Sequence, residues 1–124
     1  MDILIIDDDP EDTSFFCEVL REVAPDAHCV VENKCSNIAG TFAKLRHMPK
    51  LIFIDSVMFP ISGKECLIQV KALINPSYTR IIIYSGFLST QQIEEFKSLG
   101  ADEVILKADN YEKLKAFISK AVHQ

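Results

Sequence analysis

The sequence has no basic stripe. Its 13 lysines and arginines stand against 18 aspartates and glutamates, a formal net charge of −5. Nowhere do the cations gather as contact with a phosphate backbone requires, so nucleic acid is excluded as a direct partner. No apolar run approaches membrane-spanning length, and MDILIIDDD turns acidic too soon for the core of a secretory signal. These absences predict a soluble, cytoplasmic protein with no membrane partner. Cys17, Cys29, Cys35 and Cys66 form no CxxC pair and have no histidine at zinc-finger spacing. That argues against structural zinc and predicts reduced, mostly buried thiols. There is no low-complexity tract, no linker and no repeat beyond an alternation of strands and helices. With 124 residues, 48% of them hydrophobic, the chain reads as one domain over 1–124 with a single core.

What is present is organised around LIFIDSVMFP, residues 51–60. Leu51, Ile52, Phe53 and Ile54 read as a strand buried on both faces, and the run stops abruptly at Asp55. Similar runs place strands at Asp2 to Asp7, Ala27 to Glu32, Lys50 to Asp55, Arg80 to Tyr84 and Glu103 to Leu106. Between them apolar residues recur at helical spacing: Phe16, Val19, Leu20 and Val23; Ile38, Phe42 and Leu45; Leu67, Val70 and Ile74. Ile93 and Phe96 mark a fourth helix, and Leu114, Phe117, Ile118 and Ala121 a fifth. Asp9 followed by Pro10, Ser89 with Gln92 three residues on, and Gly100 supply start and stop signals. The alternation predicts an α/β fold: a doubly wound five-stranded parallel sheet with right-handed crossovers and helices on both faces.

In such sheets ligands bind beyond the carboxyl ends of the strands. Here the first strand ends in Asp7, Asp8 and Asp9, the third in Asp55, the fourth in Ser85 and the fifth in Lys107. Converging carboxylates repel one another, which raises a pKa or demands a cation. A hard divalent ion such as Mg²⁺, held by one or two carboxylates plus a phosphate, satisfies that demand. A hydroxyl and an ammonium on neighbouring strands complete a set able to stabilise charge on a transferring phosphoryl group. Taken singly these residues read as a helix-capping acidic cluster, a loop polar residue and a solvated charge; their convergence on one edge favours the site.

ILIIDDDP, LIFIDSVMFPISGKE, IIIYSG and LGADEVILK, in that order, resemble the receiver domains of two-component response regulators over essentially the whole chain. The resemblance implies a flavodoxin-like (βα)5 fold of the CheY type, strand order 2-1-3-4-5. It implies Asp55 as phosphoacceptor, Ser85 and Lys107 as the groups that contact the phosphoryl, and Mg²⁺ held by Asp7, Asp8, Asp55 and the backbone carbonyl of Val57. Asp8 is then the direct ligand and Asp7 the water-mediated one. It implies a phosphoacceptor rather than an enzyme, served by a histidine kinase or phosphotransfer protein. The downstream protein would be met through the face of the fourth helix, fifth strand and fifth helix.

The chain departs from the pattern at Phe59, where proline is usual, at Ala108 after the lysine, and at Val104, where the family's aromatic switch residue is expected. No output domain is expected after the fifth helix, which makes the predicted protein a stand-alone receiver. Two other readings compete. A haloacid-dehalogenase-like phosphatase would use Asp7 and Asp9 as its DxD pair, but Pro10 and Glu11 stand where its threonine belongs and Asp55 is left without a role. A receiver-like binding module that is never phosphorylated would not need the complete polar set.

Overall fold

The computed structural model describes residues 1–58 and 60–123; Phe59 lies outside them, so its departure from the family pattern has no structural account here. Five strands form one parallel sheet: β1 (Asp2–Ile6), β2 (His28–Glu32), β3 (Leu51–Asp55), β4 (Arg80–Ser85) and β5 (Glu103–Leu106), in the order β2-β1-β3-β4-β5. The helices are α1 (Pro10–Val23), α2 (Ile38–Lys44), α3 (Gly63–Lys71), α4 (Thr90–Ser98) and α5 (Tyr111–Val122), with a 3₁₀ turn at Cys35–Asn37 leading into α2. Fold class and strand order are those expected.

The runs of β-branched residues in β1, β3 and β4 are covered on both faces because successive side chains point to opposite sides. Ile3, Ile5, Leu51, Phe53, Ile82 and Tyr84 pack on one side against Phe16, Val19 and Leu20 of α1 and Leu114 and Ile118 of α5. Leu4, Ile6, Ile52, Ile54, Ile81 and Ile83 face the other side, against Ile38, Leu67, Val70 and Phe96 from α2, α3 and α4. Phe53 centres the first layer, its ring 4.7 Å from Phe16 and 5.8 Å from Phe117, both edge-to-face, a geometry that adds to burial.

The end signals act as expected. Asp9 caps α1, accepting from the N–H groups of Glu11 and Asp12, with Pro10 in the first turn. Ser89 and Gln92 close a reciprocal capping box on α4, and Gly100 takes φ +107, where a side chain is strained. Two helices are shorter than the periodicity suggests. Leu45 is the extended C-cap of α2, and α3 ends at Lys71, before Ile74; Pro49 and Pro76 lie a few residues beyond these ends, where neither helix could continue through them.

The cysteines correct the expectation of free thiols. Cys17 on α1 is bonded to Cys29 on β2, and Cys35 to Cys66 on α3, both with Cα atoms 5.8 Å apart, inside the range a bridge needs. Separations of 12 and 31 residues match no motif; the crossovers, not local spacing, bring the partners together.

Candidate functional site

The register of the central strands assembles the site. Ile6 pairs with Ile54, and Asp55 with Tyr84, so the residue after β1, Asp7, lies beside the last residue of β3. Carboxylate oxygens of Asp7, Asp8 and Asp55 come within 4.8 Å of one another. Asp7 and Asp55 are buried and Asp8 is exposed. Three hard oxygen donors at this spacing fit a divalent cation such as Mg²⁺, with the exposed Asp8 on its open side.

Lys107 supplies the positive charge. Its Nζ lies 2.7 Å from Asp12 Oδ2 and 3.4 Å from an Oδ2 of both Asp7 and Asp55. Its backbone N–H donates to the Ser85 carbonyl at 2.7 Å, which carries the lysine past the end of β5 to the site edge. Burial pulls the ammonium down, but the Asp12 hydrogen bond and the charges of Asp55, Asp7 and Asp12 together hold its pKa above the ordinary lysine value.

Asp55 moves the other way from an ordinary aspartate. Burial lifts its pKa from 3.8 to about 6; the hydrogen bond from the Val57 N–H and the charge of Lys107 oppose the rise, while the charge of Asp7 adds to it. The Val57 N–H donates to Asp55 Oδ1 at 3.2 Å, whereas the Val57 side chain is 74% exposed. Gly63 closes the loop after β3, its N–H donating to the Ser56 carbonyl. A Cβ at Gly63 would stand 2.5 Å from the Asp55 carbonyl oxygen, so only glycine lets α3 start this close to the strand end.

Ser85, at the end of β4, donates its hydroxyl to the Phe87 carbonyl at 2.8 Å and accepts one from Ser56. It is thus near the carboxylates but held by its own loop. Val104, half-buried, packs on the α4 side of the sheet and offers no ring to follow Ser85.

A model of the family described as "response regulator receiver domain" matches residues 3–119. The chain belongs to the response regulator receiver family. The receiver's fold is shared with many solved structures. Among them are the signal receiver domain of a DNA binding response regulator protein (merR) from Colwellia psychrerythraea 34H and the CheY-like receiver domain protein from Methanospirillum hungatei JF-1. The first has 22% identity and TM-score 0.82, with coverage of 100% of this chain and 99% of that one. The second has 20% identity and TM-score 0.80, with 98% and 93% covered. Chemotaxis protein CheY4 from Vibrio cholerae is 19% identical at TM-score 0.81, with 96% of each chain covered. No curated protein matches the sequence. No helix among the described residues is long and apolar enough to cross a membrane.

The receiver therefore brings Asp7, Asp8, Asp55 and Lys107 into one cluster and leaves Ser85 at its margin. Sequence reasoning missed two members. Asp12, one helical turn beyond the acidic run, is the nearest carboxylate to Lys107. Tyr84 donates its hydroxyl to Asp7 Oδ2; its signal was an aromatic hydroxyl directly after the aliphatic run Ile81–Ile83, beside Ser85.

Proposed function

We propose that the receiver takes a phosphoryl group onto Asp55 from the phosphohistidine of a histidine kinase or phosphotransfer protein. The observation that carries this reading is Asp55 at the strand end, with Lys107 Nζ at 3.4 Å and the acidic pair Asp7 and Asp8 alongside. An Asp55 oxygen attacks phosphorus, the phosphorus–nitrogen bond breaks, and the histidine leaves with its electron pair; the product is an acyl phosphate. Asp7, Asp8, Asp55 and the Val57 carbonyl would hold Mg²⁺, which supplies charge neutralisation and orientation for the phosphoryl oxygens. Lys107 is already placed to pair with the added negative charge. Ser85 would give up its bond to Phe87 to meet the phosphoryl oxygens, and that release carries the change into the loop before α4.

Residues 1–124 then act as one phosphoacceptor unit whose only chemistry is its own phosphorylation and dephosphorylation. A downstream protein is recognised on the face of α4, β5 and α5, where Phe87 and Leu106 are 77% and 61% exposed. Partners are proteins rather than nucleic acid or membrane, and the setting is the cytoplasm. The test is incubation with acetyl phosphate and Mg²⁺ followed by intact-mass and peptide mapping. One phosphoryl group on Asp55 is expected, none in Asp55→Asn and none in Asp8→Ala. Modification elsewhere, or none in the parent, removes the reading.

A further inference from the structure

We infer that Tyr84 is a positioning residue for the metal site: its hydroxyl fixes the Asp7 carboxylate and shares the oxygen that would otherwise draw Lys107 toward the metal's place. The inference rests on the phosphoacceptor reading above and adds a residue to it.

The geometry is specific to a tyrosine. Tyr84 lies on β4 and Asp7 follows β1, with β3 between them in the sheet. Neighbouring strands are about 4.8 Å apart, so the hydroxyl must reach beneath Asp55 and across a whole strand to meet Asp7. The rings of Phe53 and Phe16, each centred 6.4 Å from that of Tyr84, pack along that path. The result is that every Asp7 oxygen is held from behind: Oδ1 accepts from the Asp9 N–H at 2.9 Å, and Oδ2 accepts from Tyr84 and faces Lys107. Asp7 is wholly buried and cannot reorient without breaking these bonds.

The second contribution concerns the lysine. Lys107 Nζ sits 4.9 Å from the centre of the Tyr84 ring, a cation–π distance, and it leans toward Asp12 at 2.7 Å rather than toward Asp7 or Asp55 at 3.4 Å. An ammonium moving fully between Asp7 and Asp55 would neutralise the carboxylates that a divalent ion needs. With the hydroxyl gone, Asp7 Oδ2 would keep Lys107 as its remaining partner and draw it inward. Lost orientation and a competing cation both weaken metal binding. Hydrogen-bond partners behind metal ligands are commonly worth about 10- to 100-fold in affinity.

The test is Mn²⁺ binding, by electron paramagnetic resonance or calorimetry, to the parent and to Tyr84→Phe, which keeps the ring and its packing. Affinity should fall about 10- to 100-fold, and saturating Mg²⁺ should return Asp55 modification by acetyl phosphate to near the parental rate, since the Tyr84 hydroxyl bonds to Asp7 and not to the Asp55 carboxyl. A role in packing alone would lower thermal stability in EDTA and leave the affinity where it was. Affinity within twofold of the parent overturns the inference. If the variant folds poorly, the parent answers instead. Its Tyr84 Cζ carbon resonance should shift when Mg²⁺ is added while those of Tyr78 and Tyr111 stay put, and an unmoved Tyr84 signal overturns it equally. A parent that binds Mn²⁺ but never modifies Asp55 would sink the phosphoacceptor reading and leave the role of Tyr84 standing; a parent that binds no divalent ion removes both.

Discussion

At Asp55 burial of a carboxylate costs the folded protein stability. Its carboxyl ionises near pH 3.8 when free in the unfolded chain but at about 6 in the folded protein, chiefly because burial penalises the charge. Below about pH 4 both states keep the proton and the site costs nothing. As pH rises from about 4 to about 6, the unfolded chain is ionised while the folded one still holds its proton, so stability is lost across that window and levels off above 6. Asp55→Asn removes the cost. In EDTA it should unfold at higher denaturant than the parent at pH 8, by about 2 to 3 kcal/mol, with the difference shrinking toward zero at pH 4; an equal gain at both values would mean ionisation is not the cause. A second expectation concerns the lifetime of the acyl phosphate. Two residues beyond Asp55 and two beyond Ser85 stand Val57 and Phe87, whose apolar side chains cannot hydrogen-bond a water. Both are largely exposed, open to any polar replacement. Val57→Asn and Phe87→Glu should each speed loss of the phosphoryl group several-fold in a single-turnover decay assay, by hydrogen-bonding and orienting a water for attack. Unchanged decay in both variants would show that these positions do not govern hydrolysis.

Among the elements, those whose local chemistry agreed with their place in the fold were readable from the chain. The aliphatic runs of β1, β3 and β4 could only be strands covered on both faces, and Asp9, Ser89 and Gly100 each carry a terminus signal that the structure uses. The strand-end residues Asp7, Asp8, Asp55, Ser85 and Lys107 were legible for the same reason, since topology alone sends the ends of parallel strands to one edge. What depends on distance across the fold was not. Tyr84 reaches Asp7 over an intervening strand, and the cysteine partners meet only once the crossovers that carry them are wound. The bridges also differ in exposure: Cys17–Cys29 is half-buried at the surface, and Cys35–Cys66 lies within the core beside α3. Without reductant the denatured protein should show no free thiol to an aromatic disulfide reagent. Mild reduction should open Cys17–Cys29 first, read by mass mapping of alkylated cysteines. Replacing both Cys35 and Cys66 by serine should cost about 2 to 4 kcal/mol in denaturant unfolding. Four reactive thiols in the unreduced chain would restore the expectation drawn from the sequence.

Across the whole molecule, the two apolar layers close in different ways. The layer on one side is covered by α2, α3 and α4, which all lie in the middle of the chain. The other is covered by α1 and α5 packed against each other, the first helix and the last. During synthesis a chain folds as it emerges, N-terminal parts first, yet Phe53, Ile82 and Tyr84 stay uncovered on the α5 side until Leu114, Phe117 and Ile118 have left the ribosome. Birth of the protein is therefore a race between the arrival of its final helix and capture of a bare aromatic face by chaperones or neighbouring nascent chains.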